Sequence, residues 1–251
     1  MGEYLDTPRV HLNWIIHEQL PYPGTLLLQG PPKSGKSFLC LDLARNISQG
    51  TPVFRWATRK SSCLYLQFDT SEMIWRHRVE KQRSAGVSFD GSLYQVHPED
   101  MRVPFNISNP QDYEWLRQVI RHADPEVTII DVLREIHNAD ENDSTKMKIV
   151  GDKLMSIFKD RSLILVHHSK KIGEDVIDPS PVDVSRGSSY LTGKVDAIWF
   201  LWRHQLRIQS RNSEAQFLRL RQDAVGVWLD RENTSVPSSP SINSSSLDSR
   251  H

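Results

Sequence analysis

Short unbroken runs of apolar residues alternate along the chain with stretches whose apolar positions recur every three or four residues. Thr25-Leu26-Leu27-Leu28 is a continuous apolar strand that runs into a glycine-rich turn. The following residues predict a helix from Lys36 to Ile47, in which Asp42 and Arg45 form the only polar stripe, so most of its sides should be packed. Cys63 to Phe68 reads as a second strand and Leu93 to His97 as a weaker third. Asn109-Pro110, with Asp112 in the first turn, opens a helix through His122. Val127 to Asp131 is another strand, and Leu163 to His167 is one with no polar face. Between these two, Met147, Val150, Leu154 and Phe158 repeat at helical spacing, with Asn142, Asp143 and Ser144 as candidate caps. Strands buried on both faces and separated by helices predict an α/β fold, a parallel sheet with helices on both faces. After Arg186 the pattern changes. Ala197 to Trp202, Leu206 to Arg211 and Gln216 to Gln222 predict a C-terminal antiparallel β-meander with polar turns.

The ordered pattern reaches about Asp230, which gives one domain over residues 1–230. Residues 231–251 are rich in Ser, Asn and Pro and have no apolar periodicity. Such a segment buries too little surface to offset its ordering entropy, so it is expected to be a disordered tail, with a docking peptide as the alternative. No internal repeat is visible. The 31 Lys and Arg residues balance 31 Asp and Glu, so no global basic field draws the chain onto nucleic acid. Binding to nucleic acid would need a local patch or several subunits converging on one strand. The only two cysteines, Cys40 and Cys63, each sit inside an apolar run and read as small buried hydrophobes. The first ten residues carry acids and no apolar stretch, which does not fit a signal peptide, and Asp6 stands where myristoylation would need Ser or Thr. No run is long enough to cross a bilayer, so the expectation is a soluble protein of a reducing compartment, the cytoplasm, without membrane partners.

Gly30-Pro31-Pro32-Lys33-Ser34-Gly35-Lys36-Ser37 fits G-x-x-x-x-G-K-[ST] without deviation, between an apolar strand and a helix. Backbone N–H groups of such a loop, with the helix N-terminus, form an anion nest for the phosphates of ATP. Lys36 should neutralise the β- and γ-phosphates and the Ser37 hydroxyl should bind Mg²⁺, with Phe38 following them in the ATP-binding set. In the empty loop Lys36 is expected to be exposed. Val127-Thr128-Ile129-Ile130-Asp131 ends an apolar strand in an acid, a Walker B arrangement. Placed next to the phosphate-loop strand, Asp131 would hold Mg²⁺ directly or through a water.

Three further segments resemble one family. Asp131-Val132-Leu133-Arg134-Glu135-Ile136-His137, then Glu141-Asn142, is similar to the D-x-L-R-x-x-H…E-N stretch of RepA-type plasmid replicative helicases, within the RecA-like P-loop ATPases. Leu165-Val166-His167-His168-Ser169-Lys170 resembles their strand ending in paired histidines, and Ser185-Arg186-Gly187-Ser188-Ser189 their Arg-Gly-Ser-Ser turn. With the phosphate loop, the likeness runs over about residues 20–225 in the same order. It implies a homohexameric ring with ATP between subunits, single-stranded DNA in the central channel and unwinding driven by hydrolysis. It puts His168 at the position of the sensor of the γ-phosphate, with His167 as the lesser partner. It also maps the channel loop to roughly 170–185, where Lys170 and Lys171 are candidate DNA contacts, with Arg186 in the turn beyond; a solvated surface loop is the alternative.

The chain departs from that family twice. The glutamate that activates water at the end of the second strand is here Asp69, shorter by one methylene or about 1.5 Å. Asp69 is the candidate base and Glu72, one turn on, the alternative. Related ring helicases also insert a Lys-x-Arg pair into the neighbouring ATP site. Here Arg221 matches the lysine and Asp223 stands where the arginine would be. Arg221 is the candidate finger, Arg203 and Arg207 are weaker candidates, and ordinary solvent-facing charges are the alternative. These residues suit an ATP-hydrolysing replicative helicase of a plasmid, phage or mobile element. A regulatory or recombination ATPase that binds DNA without unwinding it, and a nucleotide-dependent scaffold, are the competing readings.

Overall fold

A computed structural model describes residues 12–100, 104–170, 179–183 and 189–232. Its centre is a nine-stranded sheet assembled from β3 (Thr25–Gly30), β4 (Cys63–Gln67), β5 (Leu93–Val96), β6 (Val127–Asp131), β7 (Ser162–His168), β8 (Ala197–Trp202), β9 (Gln205–Ser210), β10 (Gln216–Gln222) and β11 (Trp228–Asp230). The strand order is β11-β10-β9-β8-β3-β7-β6-β4-β5. From β8 to β5 all neighbours are parallel, and β8 to β11 form an antiparallel meander. β8 therefore belongs to both parts, closing the parallel sheet against β3 and opening the meander. A two-stranded hairpin, β1 (Trp14–Ile16) with β2 (Leu20–Pro21), precedes the sheet.

Each parallel strand sends alternate residues to opposite faces, and the side chains divide into two cores accordingly. Leu26, Leu28, Cys63, Tyr65, Ile129, Ile164, Val166 and Trp199 join one core with α1 (Lys36–Gln49) and Trp75 of α2 (Glu72–Ser84). Leu27, Leu64, Leu66, Ile130, Leu163, Leu165 and Ile198 join the other with α3 (Pro110–Ala123), α4 (Ser144–Ile157) and Leu191 of the short α5 (Ser189–Thr192). Fully apolar strands thus mark a sheet covered on both sides, as their sequence predicts. Asn109 accepts the Gln111 N–H at the start of α3, with Pro110 at N1, and Asp143 accepts from Thr145 and Lys146 at the start of α4. Cys40 and Cys63 are free and buried. No helix among the described residues is long and apolar enough to cross a membrane. Apart from Arg231 and Glu232, the serine-rich segment lies outside the described residues.

One expectation about the sheet needs correcting. β6 does not lie next to β3, because β7 pairs with both and separates them. The acid of β6 is therefore two strand spacings, about 10 Å, from the phosphate-loop strand. The histidine-bearing end of β7 fills the interval. β7 suits that central place because Leu163 to Val166 are apolar toward both faces and wholly buried.

Candidate active site

The C-terminal ends of β3, β7, β6 and β4 lie side by side, and in open parallel sheets this edge is where ligands bind. β3 ends at Gly30, where a Cβ would come within 2.4 Å of the Leu201 carbonyl, so only glycine lets the loop leave beside β8. The loop returns as α1 through Gly35, whose φ of 92° lies in the left-handed region. No side chain caps this helix, and its first turn has no acid, so its leading N–H groups remain available to an anion. Within the loop the Ser34 hydroxyl is buried without a hydrogen-bond partner. An orphaned hydroxyl beside an uncapped helix start fits a phosphate group, whose oxygens would satisfy both.

Lys36 is buried rather than exposed, at 6% of its possible surface. Its ammonium folds back onto the loop, donating to the Gly30 and Pro31 carbonyls at 2.9 Å each. These carbonyls face the N-terminal turn of α1, so the cation has acceptors before any phosphate arrives. Burial lowers its pKa, while the Asp131 carboxylate opposes that most strongly. His168 is half-buried, with Nδ1 3.5 Å from the Lys36 ammonium. Burial and then the Lys36 charge hold its pKa below the usual histidine value, which favours a neutral imidazole. Ser169 N–H donates to the Gly30 carbonyl at 3.1 Å, fixing the end of β7 to the base of the loop.

Asp131 is 2% exposed. Burial raises its pKa, against hydrogen bonds from Tyr65 and Ser37 and the charge of Lys36. The Tyr65 hydroxyl donates to Asp131 Oδ2 at 2.7 Å, and Gln67 Nε2 lies 3.4 Å from the same oxygen. Ser37 and Asp131 thus meet although their strands are not neighbours, because the first turn of α1 reaches across. Among the described residues no cluster of three His, Cys, Asp or Glu side chains could hold a metal by itself. A serine hydroxyl and one carboxylate fit Mg²⁺ when phosphate oxygens and waters complete its shell.

Asp69 is exposed just beyond β4, and its charge acts on Lys36, Asp131 and His168. Its N–H donates to Gln67 Oε1 at 3.1 Å. Gln67 thereby spans Asp131 and Asp69. Glu72, the alternative base, accepts from Arg76 Nε at 2.6 Å one turn along α2. Tyr65 and Gln67 escape a motif search; the signal that could have found them is polar atoms on alternate positions of an otherwise apolar strand.

Two of the family-like stretches meet at a second buried cluster. His137 Nε2 and His167 Nδ1 each lie 4.0 Å from Glu141 Oε1, and all three residues are buried. Arg219 and Arg221 are exposed on β10, while Leu218 and Leu220, which alternate with them, are buried. The departure at Asp223 has a local cause: its carboxylate accepts the Val225 and Val227 N–H groups at 3.0 and 2.8 Å and builds the β10–β11 turn. Arg203 and His204 form the β8–β9 turn with φ of 47° and 59°, and Arg207 stacks 5.2 Å from the Phe217 ring. Lys170 is exposed after β7. Lys171 and Arg186 lie outside the described residues.

A glycine loop between a buried parallel strand and a helix, facing an acid two strands away with a third strand inserted between, defines a RecA-like P-loop ATPase fold. The model of the AAA_25 family, described as an AAA domain, matches residues 2–174, more than half of the chain. The chain belongs to that family. No curated protein is similar enough in sequence to be matched. Its fold is similar to that of a solved ATPase domain, with a TM-score of 0.64 and 14% identity over 91% of this chain and 95% of that one. A DnaB-like replicative helicase, solved for its interactions with primase, gives 0.64 and 13% over 91% of this chain and 66% of that one. A KaiC-like protein from the archaeon Pyrococcus horikoshii gives 0.58 and 11% over 88% and 99%. At these identities the likenesses establish the fold.

Proposed function

We propose that the chain is an ATP-hydrolysing motor stimulated by single-stranded DNA, a ring-forming replicative helicase of a plasmid, phage or mobile element. The observation that carries the ATPase reading is the convergence of Lys36, Ser37, Asp131, Asp69 and His168 at one sheet edge. Gly30 to Phe38 would cradle the phosphates of ATP, with Lys36 leaving its two loop carbonyls for the β- and γ-oxygens. Ser37 and Asp131 would hold Mg²⁺, which when bound draws negative charge off those oxygens. Asp69 would take the proton of a water as its oxygen bonds to the γ-phosphorus and the bridge to ADP breaks. His168, neutral and beside Lys36, would report the presence of the γ-phosphate to the segment that follows β7. Arg221 would reach the neighbouring subunit's ATP, and Lys170, Lys171 and Arg186 would contact DNA. Residues 1–230 form the motor on this reading, with 231–251 as a tail, in the cytoplasm.

The helicase step rests on the family and on the fold neighbour described as a DnaB-like replicative helicase. The second reading is a regulatory or recombination ATPase that binds DNA without unwinding it; the fold, which the KaiC-like neighbour shares, accommodates it equally. Native mass with and without ATP and a single-stranded oligonucleotide tests the motor. A ring of about six chains that separates the strands of a forked duplex supports the helicase; a monomer under every condition contradicts it, and a ring that hydrolyses ATP without unwinding favours the second reading.

A further inference from the structure

The phosphate loop is braced from behind by the last strand of the sheet. Gly35, Phe38 and Asp42 lie along one stripe of α1, and the β10–β11 hairpin packs on all three. A Cβ added at Gly226, in the turn, would come within 2.4 Å of the Phe38 ring. The Trp228 N–H donates to Asp42 Oδ2 at 2.7 Å. Its indole Nε1–H donates to the Gly35 carbonyl at 3.2 Å, and a Cβ on Gly35 would meet the indole at 2.6 Å. Trp228 itself is 4% exposed.

The Gly35 carbonyl belongs to the same planar trans peptide as the Lys36 N–H, and the two point in opposite directions. The same carbonyl accepts the Leu39 N–H at 3.1 Å, and the indole, as its second donor, reinforces the aim of the Lys36 N–H, a donor of the phosphate nest, toward the ligand. Resting on the ATP reading above, we propose that Trp228 is a positioning residue for the phosphate loop and joins nucleotide occupancy to the β10–β11 hairpin. The hairpin's inner side touches the loop, and its outer side carries Arg219 and Arg221. Filling the site stiffens the Gly35–Lys36 peptide, the indole contact and the turn built on Asp223 as one unit. The cations on the outer face of β10 are thereby set by the state of their own chain's nucleotide.

The test is a titration of wild type and Trp228→Phe with a non-hydrolysable ATP analogue and with ADP, with amide hydrogen exchange over residues 216–230. Phenylalanine keeps an aromatic ring at the position but removes the indole donor and the fused-ring atoms Cζ2 and Nε1 that face Gly35, a loss of one hydrogen bond and part of that contact. Both nucleotides should then bind about threefold to tenfold more weakly, at a temperature where both proteins are folded. In wild type, nucleotide should slow exchange at Val227 and Trp228, and in Trp228→Phe this slowing should shrink. Unchanged affinity in the variant overturns the positioning role. Unchanged exchange in nucleotide-saturated wild type overturns the coupling, and this measurement stands even where the variant fails to fold. Wild type that binds neither nucleotide sinks the ATP reading itself. Tight binding by wild type, lost in Lys36→Ala and unaltered in Trp228→Phe, sinks only the role of Trp228.

Discussion

Replacing Asp42 by Asn should make the stability of the protein depend less on pH. Asp42 lies in the middle of α1, 3% exposed, with its carboxylate 3.2 Å from Arg45 and accepting the Trp228 N–H. Burial pushes its pKa up to about 7, with the Asp223 charge adding to the rise, while Arg45 and the Trp228 N–H oppose it. Burial outweighs the ion pair here because one partly buried arginine does not replace the lost hydration of the carboxylate. A folded-state value above the unfolded one means that the native state holds the proton more tightly. The stability this contributes is complete below about pH 4 and is lost as pH rises through about 7. At about 1.4 kcal/mol per pH unit, the loss amounts to at most about 4 kcal/mol. Asparagine does not titrate and still offers an oxygen to the Trp228 N–H. Stranding Arg45 lowers the absolute stability of Asp42→Asn, but that cost does not follow the titration of Asp42, so the slope is the readout. Urea unfolding of both proteins at intervals from pH 4 to 8 should show the difference moving in favour of Asp42→Asn until about pH 7, then levelling. A difference that stays constant, or moves the other way, would refute the reasoning.

Tyr65→Phe removes the 2.7 Å hydrogen bond to Asp131 and should raise the Mg²⁺ concentration for half-maximal ATPase about tenfold, since a bond to a charged group is worth about 1.5–3 kcal/mol; an unchanged Mg²⁺ requirement counts against Asp131 as the metal residue. Asp69→Glu should raise turnover with ATP affinity nearly constant, because a base misplaced by about 1 Å can cost on the order of 100-fold, and Asp69→Asn should remove most activity. Steady-state assays with saturating single-stranded DNA decide this, and an Asp69→Asn protein as fast as wild type rules Asp69 out. His168→Ala should hydrolyse ATP without stimulation by single-stranded DNA; wild-type stimulation in that variant removes the sensor role.

What is legible in the sequence is local. The glycine loop, the apolar strand before it and the helix after it lie within 25 residues, so their pattern and their chemistry coincide. The double-sided strands announce a covered parallel sheet in the same way. The insertion of β7 between β3 and β6 is not legible, because the β3–β7 pairing joins residues more than a hundred apart and every central strand is equally apolar. Tyr65 and Gln67 look like ordinary members of a strand until β6 brings Asp131 beside them. Lys36 is expected in solvent because a cation usually is, but the loop supplies carbonyl acceptors that let it fold inward. Asp223 looks like a broken finger motif, and the structure gives it a turn to build. Trp228 carries no motif, and β11 is only three residues long, too short for any periodicity.

The central claim is that ATP binds at the loop from Gly30 to Ser37 with Lys36 on its phosphates. Calorimetric titration of Mg²⁺-ATP into wild type and Lys36→Ala tests it most directly, with melting curves recorded on both. Lys36→Ala loses two hydrogen bonds to loop carbonyls and should melt slightly lower while remaining folded. Saturable binding at one site per chain in wild type, abolished in folded Lys36→Ala, is the predicted result. Equal affinity in the two proteins, or no binding of ATP by wild type, would contradict the account.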